Sequence, residues 1–165
     1  MRSFLILFTL FITIESCKQP ASEPNVYTEI PWVSIDSVED LIQKKSKNVI
    51  VDVYTPWCGP CKLMDKRTFT DQSTIDLISK NFYPVKFNAE GPNPVTFKGK
   101  EYSNPKYDSS KGNKRNYPHQ LSSFFQVRGY PSIVILDENL NIIHKVSGYK
   151  SPEQLNQILS EYITS

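Results

Sequence analysis

The chain has 165 residues, of which 39% are hydrophobic and 22% charged, the make-up of one compact domain and not of a disordered or fibrous protein. Its 19 Lys and Arg stand against 17 Asp and Glu, a net charge of +2. No basic face or aromatic-basic motif concentrates that charge, so nucleic acid is not expected as a partner.

Arg2 precedes an uncharged, largely apolar stretch over residues 4–14, which Glu15 and Lys18 close off well short of the about 20 apolar residues a membrane-spanning helix needs. It reads as a secretory signal. Ile14-Glu15-Ser16-Cys17 resembles a bacterial lipobox, in which a small residue precedes a Cys that is lipidated and becomes the new N-terminus; Glu15 departs from that pattern. Plain cleavage near Ser16 or Ala21, and an uncleaved anchor, stay open beside it. The organisation expected is a lipoprotein-type signal over 1–16, lipid on Cys17, a tether over 17–29 and a domain over 30–165.

Trp32-Val33-Ser34-Ile35 suits a short first strand, and Asp36 or Ser37 can cap a helix over 38–45. Residues 49–54 are β-branched and apolar on both faces except at Asp52, which predicts a central strand with one buried carboxylate. A helix follows from Cys61 to a break near Thr70. A second, capped by Asp71, places Ile75, Ile78 and Phe82 on one face, and a strand is expected over 82–88. Residues 90–116 are different, because Pro and Gly punctuate a polar stretch in which six Lys or Arg face three acids. This is a loop insertion, either a lid or partner-recognition loop or a solvated decoration, with a small hairpin around Lys98-Gly99-Lys100 and Phe97, Tyr102 and Tyr107 to pin it. Pro118 suits the first turn of a helix through Phe125. Residues 132–136 and 142–146 read as antiparallel strands about a turn at Asp137-Glu138-Asn139, and Ser151 and Pro152 open a last helix. This order describes an α/β fold, a mixed sheet with helices on both faces.

Trp57-Cys58-Gly59-Pro60-Cys61 lies where the central strand hands over to a helix. Two Cys so spaced can close a small disulfide, and the free N–H groups of the helix start stabilise a thiolate on the first. Cys58 is then the attacking sulfur and Cys61 the resolving one. With Cys17 assigned to lipid, the three Cys of the chain leave only this pair, so the two are used on each other. The competing reading is half a zinc site, for which His119 and His144 are the other soft ligands; neither forms a ligand pair, and no metal is expected.

Val51-Asp52-Val53-Tyr54, the Trp57 to Lys62 motif, Val85-Lys86-Phe87-Asn88 and Val127-Arg128-Gly129-Tyr130-Pro131-Ser132 together resemble thioredoxin, in order and spacing, across nearly the whole mature domain. The resemblance implies the thioredoxin fold with the insertion placed after its third strand and near the active-site end. It implies that Pro131 is the cis-proline facing the disulfide, that Asp52 relays a proton to or from Cys61, and that Lys86 is the partner of Asp52. Asp52 as a satisfied core carboxylate, and Pro131 as an ordinary turn, are the plainer alternatives. Trp57, Gly59, Pro60 and Tyr130 would then shape the substrate surface. Export and the segment after Cys61 look more like the periplasmic thioredoxin-like proteins, including the C-terminal domain of the DsbD electron conduit.

The function expected is a monomeric thiol-disulfide oxidoreductase on the periplasmic side of a bacterial membrane, reducing protein disulfides without a cofactor beyond its own dithiol. Gly59-Pro60 is the thioredoxin dipeptide, and thioredoxin lies at about −270 mV against about −120 mV for the oxidant DsbA. Its partners are protein disulfides and an upstream electron donor, for which a membrane thiol conduit is a candidate. A dedicated reductase for cytochrome c maturation and a non-catalytic binding module are the rival readings.

Overall fold

The computed structural model describes residues 26–163; the signal, Cys17 and most of the tether lie outside the described residues. The helices are α1 (Val38–Lys44), α2 (Gly59–Arg67), α3 (Gln72–Asn81), α4 (Gln120–Phe124) and α5 (Pro152–Ser160). The strands are β1 (Asn48–Tyr54), β2 (Phe82–Asn88), β3 (Val95–Phe97), β4 (Lys100–Tyr102), β5 (Ser132–Leu136) and β6 (Ile142–Ser147). The main sheet has the order β2-β1-β5-β6, with β1 parallel to β2 and antiparallel to β5, and β5 antiparallel to β6.

Two cores lie on the two faces of this sheet. Because side chains alternate along β1, Val49, Val51 and Val53 face a cluster built with Val38 of α1, Phe97 of β3 and Leu121 and Phe125 around α4. Ile50 faces the other cluster, with Met64 of α2, Ile75 and Ile78 of α3, and Leu155 and Leu159 of α5. Asp52 shares the parity of Ile50. It is therefore buried on the face that α2 covers.

The region around Trp32 departs from expectation. Instead of a strand there is one parallel bridge, Val33 to Val85, in which the Val33 N–H donates to Pro84 O at 2.8 Å. Ser34 accepts from the Asp36 N–H and turns the chain into a short 3₁₀ helix, Ile35–Ser37, straight after that bridge. Helix α4 also starts later than Pro118, because His119 takes the capping position and its Nδ1 accepts the Leu121 N–H at 3.1 Å. Phe82 is buried as expected, but as the first residue of β2 and not as part of a helical face. Asp71 and Ser151 cap α3 and α5, the latter through a reciprocal box with Gln154.

The insertion is built onto the body. Counting the Val33 bridge it follows a third strand; within the sheet itself it follows β2. The β3–β4 hairpin turns at Lys98 and Gly99, both at positive φ (54° and 66°), the backbone a tight two-residue hairpin requires. Its Thr96 and Lys98 N–H groups donate to Asp36 and Glu39, and Phe97 is fully buried edge-on to Phe124 and Phe125. Further along, buried Asn104 donates through Nδ2 to Gly91 O and Tyr117 O.

Candidate active site

β1 ends at Tyr54, and a tight turn held by the Cys58 N–H donating to Thr55 O at 3.1 Å delivers Cys58 to the N-cap of α2. Gly59 and Pro60 occupy the first turn, where a missing N–H costs nothing. Cys58 and Cys61 form a disulfide with Cα atoms 5.3 Å apart, and the Cys61 N–H donates to Cys58 Sγ at 3.1 Å. Both cysteines are buried at 3% exposure, while Gly59 and Pro60 are exposed above them. After reduction, the same N–H and the dipole of α2 favour negative charge on Cys58.

Beneath α2 lies Asp52, 2% exposed, opposite Lys86 in the β1–β2 register. Lys86 Nζ stands 3.6 Å from Asp52 Oδ2, and Asp52 Oδ1 has no hydrogen-bond partner. The ammonium is not dedicated to Asp52: it also pairs with Asp65 of α2, and it sits 5.2–5.6 Å from the rings of Tyr54, Trp32 and Phe69. Burial pushes the Asp52 carboxyl up to about 7; Lys86 pulls it down and the charge of Asp65 pushes it further up. A carboxyl poised there can hold or release a proton near neutrality.

The register Val53 to Ser132 brings the start of β5 alongside the end of β1, and the Tyr130–Pro131 peptide bond there is cis. The Gly148 N–H donates to Pro131 O at 2.8 Å, and Ser132 Oγ donates to Gly129 O at 2.7 Å, fixing the turn. Tyr130 meets Trp57 edge to face at 5.8 Å. Trp57 is held from its other side by the insertion, since its Nε1–H donates to buried Glu90 at 2.7 Å and the Arg115 guanidinium lies 4.5 Å over its ring.

The disulfide stands at the start of α2, the buried carboxyl on β1 just ahead of it, and the cis-proline at the start of the strand that pairs with β1. The Thioredoxin-like domain model matches residues 35–163. The chain belongs to the thioredoxin-like family. Among curated relatives, the protein disulfide-isomerase of Hordeum vulgare is 35% identical over 83 residues, 44% of this chain and 16% of that protein. The chloroplastic thioredoxin Y1 of Arabidopsis thaliana is 35% identical over 78 residues, 41% of this chain and 45% of that protein. Each match thus spans less than half of the relative's length. Of the solved structures, DsbH oxidoreductase aligns with a TM-score of 0.57 at 14% identity, covering 90% of this chain and 93% of that one. A thioredoxin from Thermus thermophilus aligns at 0.59 and 15% identity, covering 81% and 86%. The oxidised C-terminal domain of Neisseria meningitidis DsbD aligns at 0.52 and 13% identity, covering 76% and 90%. These likenesses carry the thioredoxin fold.

In this thioredoxin-like domain Trp57, Gly59 and Pro60 adjoin the Cys58–Cys61 disulfide along the chain, Trp57 meets Tyr130, Pro131 immediately precedes β5 where it pairs with the end of β1, and Lys86 pairs with Asp52 of β1. His119 and His144, weighed as metal ligands, are used otherwise: His119 caps α4 and its Nε2 faces Asn93 O, while His144 Nδ1 pairs with the Tyr162 hydroxyl. Asp65, Glu90 and Arg115 were not legible as site residues. Asp65 carried a signal, since it lies four residues after Cys61 and so on the same helix face. Nothing in the sequence ties Glu90 and Arg115 to Trp57.

Proposed function

We propose that this thioredoxin-like protein is exported, lipid-anchored through Cys17, and reduces protein disulfides on the periplasmic side of a bacterial membrane. The observation that carries the reading is the Cys58–Cys61 pair at the start of α2, above a buried Asp52 whose carboxyl is pushed up to about 7. Gly59 and Pro60 between the cysteines favour the reducing direction. Export rests on the signal over 1–16 and the Cys17 motif of the sequence.

In the reducing direction the Cys58 thiolate attacks one sulfur of a substrate disulfide. The substrate S–S bond breaks, its second sulfur leaves as a thiolate that takes a proton, and a mixed disulfide to Cys58 remains. Cys61 then loses its proton, which Asp52 accepts, and attacks Cys58 Sγ. The mixed disulfide breaks, the remaining substrate sulfur leaves as a thiolate that takes the proton from Asp52, and the Cys58–Cys61 bond reforms. Two electrons have passed to the substrate. An upstream thiol donor returns them through the reverse exchange. Lys86 holds Asp52 within reach of charge, and Pro131 with Tyr130 and Trp57 offers the substrate backbone an edge beside the sulfur. The dithiol is the whole redox equipment, and one chain suffices.

The test is insulin reduction by the purified protein with a small dithiol as donor and Cys58→Ser as control. Activity in the wild type alone supports the reading; equal turbidity in both refutes it and leaves a binding module. Incorporation of labelled fatty acid that is lost in Cys17→Ser checks the anchor. A soluble, unlabelled wild type would refute it.

A further inference from the structure

The insertion builds a groove of about 560 Å³ against the active-site turn, with Trp57 and Tyr130 on one wall and Glu90, Arg115, Asn116 and Arg128 around it. Trp57 precedes Cys58 and Tyr130 precedes Pro131, so the groove is continuous with the place where a substrate chain must lie. Its charge is unbalanced. Two arginines, Arg115 and Arg128, line it with one carboxylate, Glu90. That carboxylate is already used: Glu90, 6% exposed, accepts from Trp57 Nε1–H and from the Asn116 N–H, both at 2.7 Å.

The two arginines are placed differently. Arg115 holds its guanidinium carbon 4.5 Å from the centre of the Trp57 ring. Arg128 reaches the same groove from the turn before Pro131. Among the described residues the ion pairs belong to Lys80 and Lys86, so neither arginine has a carboxylate partner. The anchoring of Arg115 also has a structural cause, because Asn116 is locked to Asp108 by a backbone N–H donated to Asn116 Oδ1 and by its own Nδ2–H donated to Asp108 O. The insertion is thus ordered at the point where it presents its charge.

We propose that this groove is a recognition subsite for an acidic side chain, Asp or Glu, lying next to the reactive cysteine of the polypeptide substrate. A planar guanidinium edge beside an aromatic wall suits a carboxylate, and a second carboxylate completes the two-to-one charge of the groove. The inference rests on the disulfide-exchange reading and adds to it the class of substrate preferred.

The test is a set of disulfide-linked peptides identical except for Glu, Gln or Lys at the positions one and two residues on either side of the cysteine. Their kcat/KM values are compared at low salt and at 1 M salt. The result expected is a Glu over Gln preference of about tenfold at low salt, the order of one charge-assisted contact, shrinking at high salt and reversed in sign for Lys. In the Arg115→Gln, Arg128→Gln double variant the Glu to Gln ratio falls toward one, a readout internal to each variant. In a Lys44→Gln, Lys80→Gln double variant, with the same loss of charge on α1 and α3, the ratio holds. Equal rates for the three peptides in the wild type would overturn the subsite. So would an equal fall in the ratio in both double variants, which would mark long-range steering instead. Failure of every peptide, Gln included, would instead overturn the exchange reading itself.

Discussion

Asp52→Asn removes a charge that the folded state holds at a loss. Burial, the largest cause, pushes the folded carboxyl up to about 7 from the 3.8 of a solvated Asp. A raised carboxyl pKa contributes stability that is complete below 3.8 and is lost as pH rises through 7. About three pH units at 1.36 kcal/mol each make the loss about 4 kcal/mol. Asn keeps the shape and cannot ionise, so the variant escapes this loss. Its stability relative to wild type should rise by about 4 kcal/mol from pH 4 to pH 8, roughly 10–15 °C in Tm for a domain of this size. The assay is urea unfolding of both oxidised proteins across that range, taken as the difference between them. A difference that is flat with pH, or a variant less stable than wild type at pH 8, would refute the reasoning and make Asp52 a satisfied partner of Lys86.

Asp65→Asn should move the Asp52 midpoint below 7, since it removes a negative charge that raises it and frees Lys86 to turn toward Asp52; carboxyl NMR titration reads the shift. Phe97→Ala should cost about 3–5 kcal/mol in urea unfolding, because the ring is fully buried against Phe124 and Phe125, and should open the insertion to proteolysis. Ser151→Ala should cost about 1 kcal/mol, measured the same way, by removing the box that starts α5.

The sheet strands and the caps at Asp71 and Ser151 were legible because each depends on local pattern: β-branched runs, a capping oxygen, a proline at the first turn. The same holds for the disulfide, whose two cysteines stand three residues apart at a helix start. Trp32 to Ile35 misled because its apolar content fits a strand, while the Ser34 side chain accepts the Asp36 N–H and turns the chain into a 3₁₀ helix after a single bridge at Val33. The insertion was legible only as an interruption. Its order comes from contacts over long separations, Glu39 to Lys98 and Glu90 to Asn116, which no period or spacing announces.

The chain has two tryptophans, and the fold puts them in different surroundings. Trp57 adjoins the disulfide, with its indole bonded to Glu90 under Arg115, while Trp32 packs edge-on against Phe69 with the Lys86 ammonium 5.3 Å from its ring. The protein therefore carries two built-in optical probes. With Trp32→Phe, emission follows the oxidation state of the dithiol and the seating of the insertion; with Trp57→Phe, it follows the charge around Lys86. Redox change and proton uptake can then be timed separately in one cuvette, without any added label.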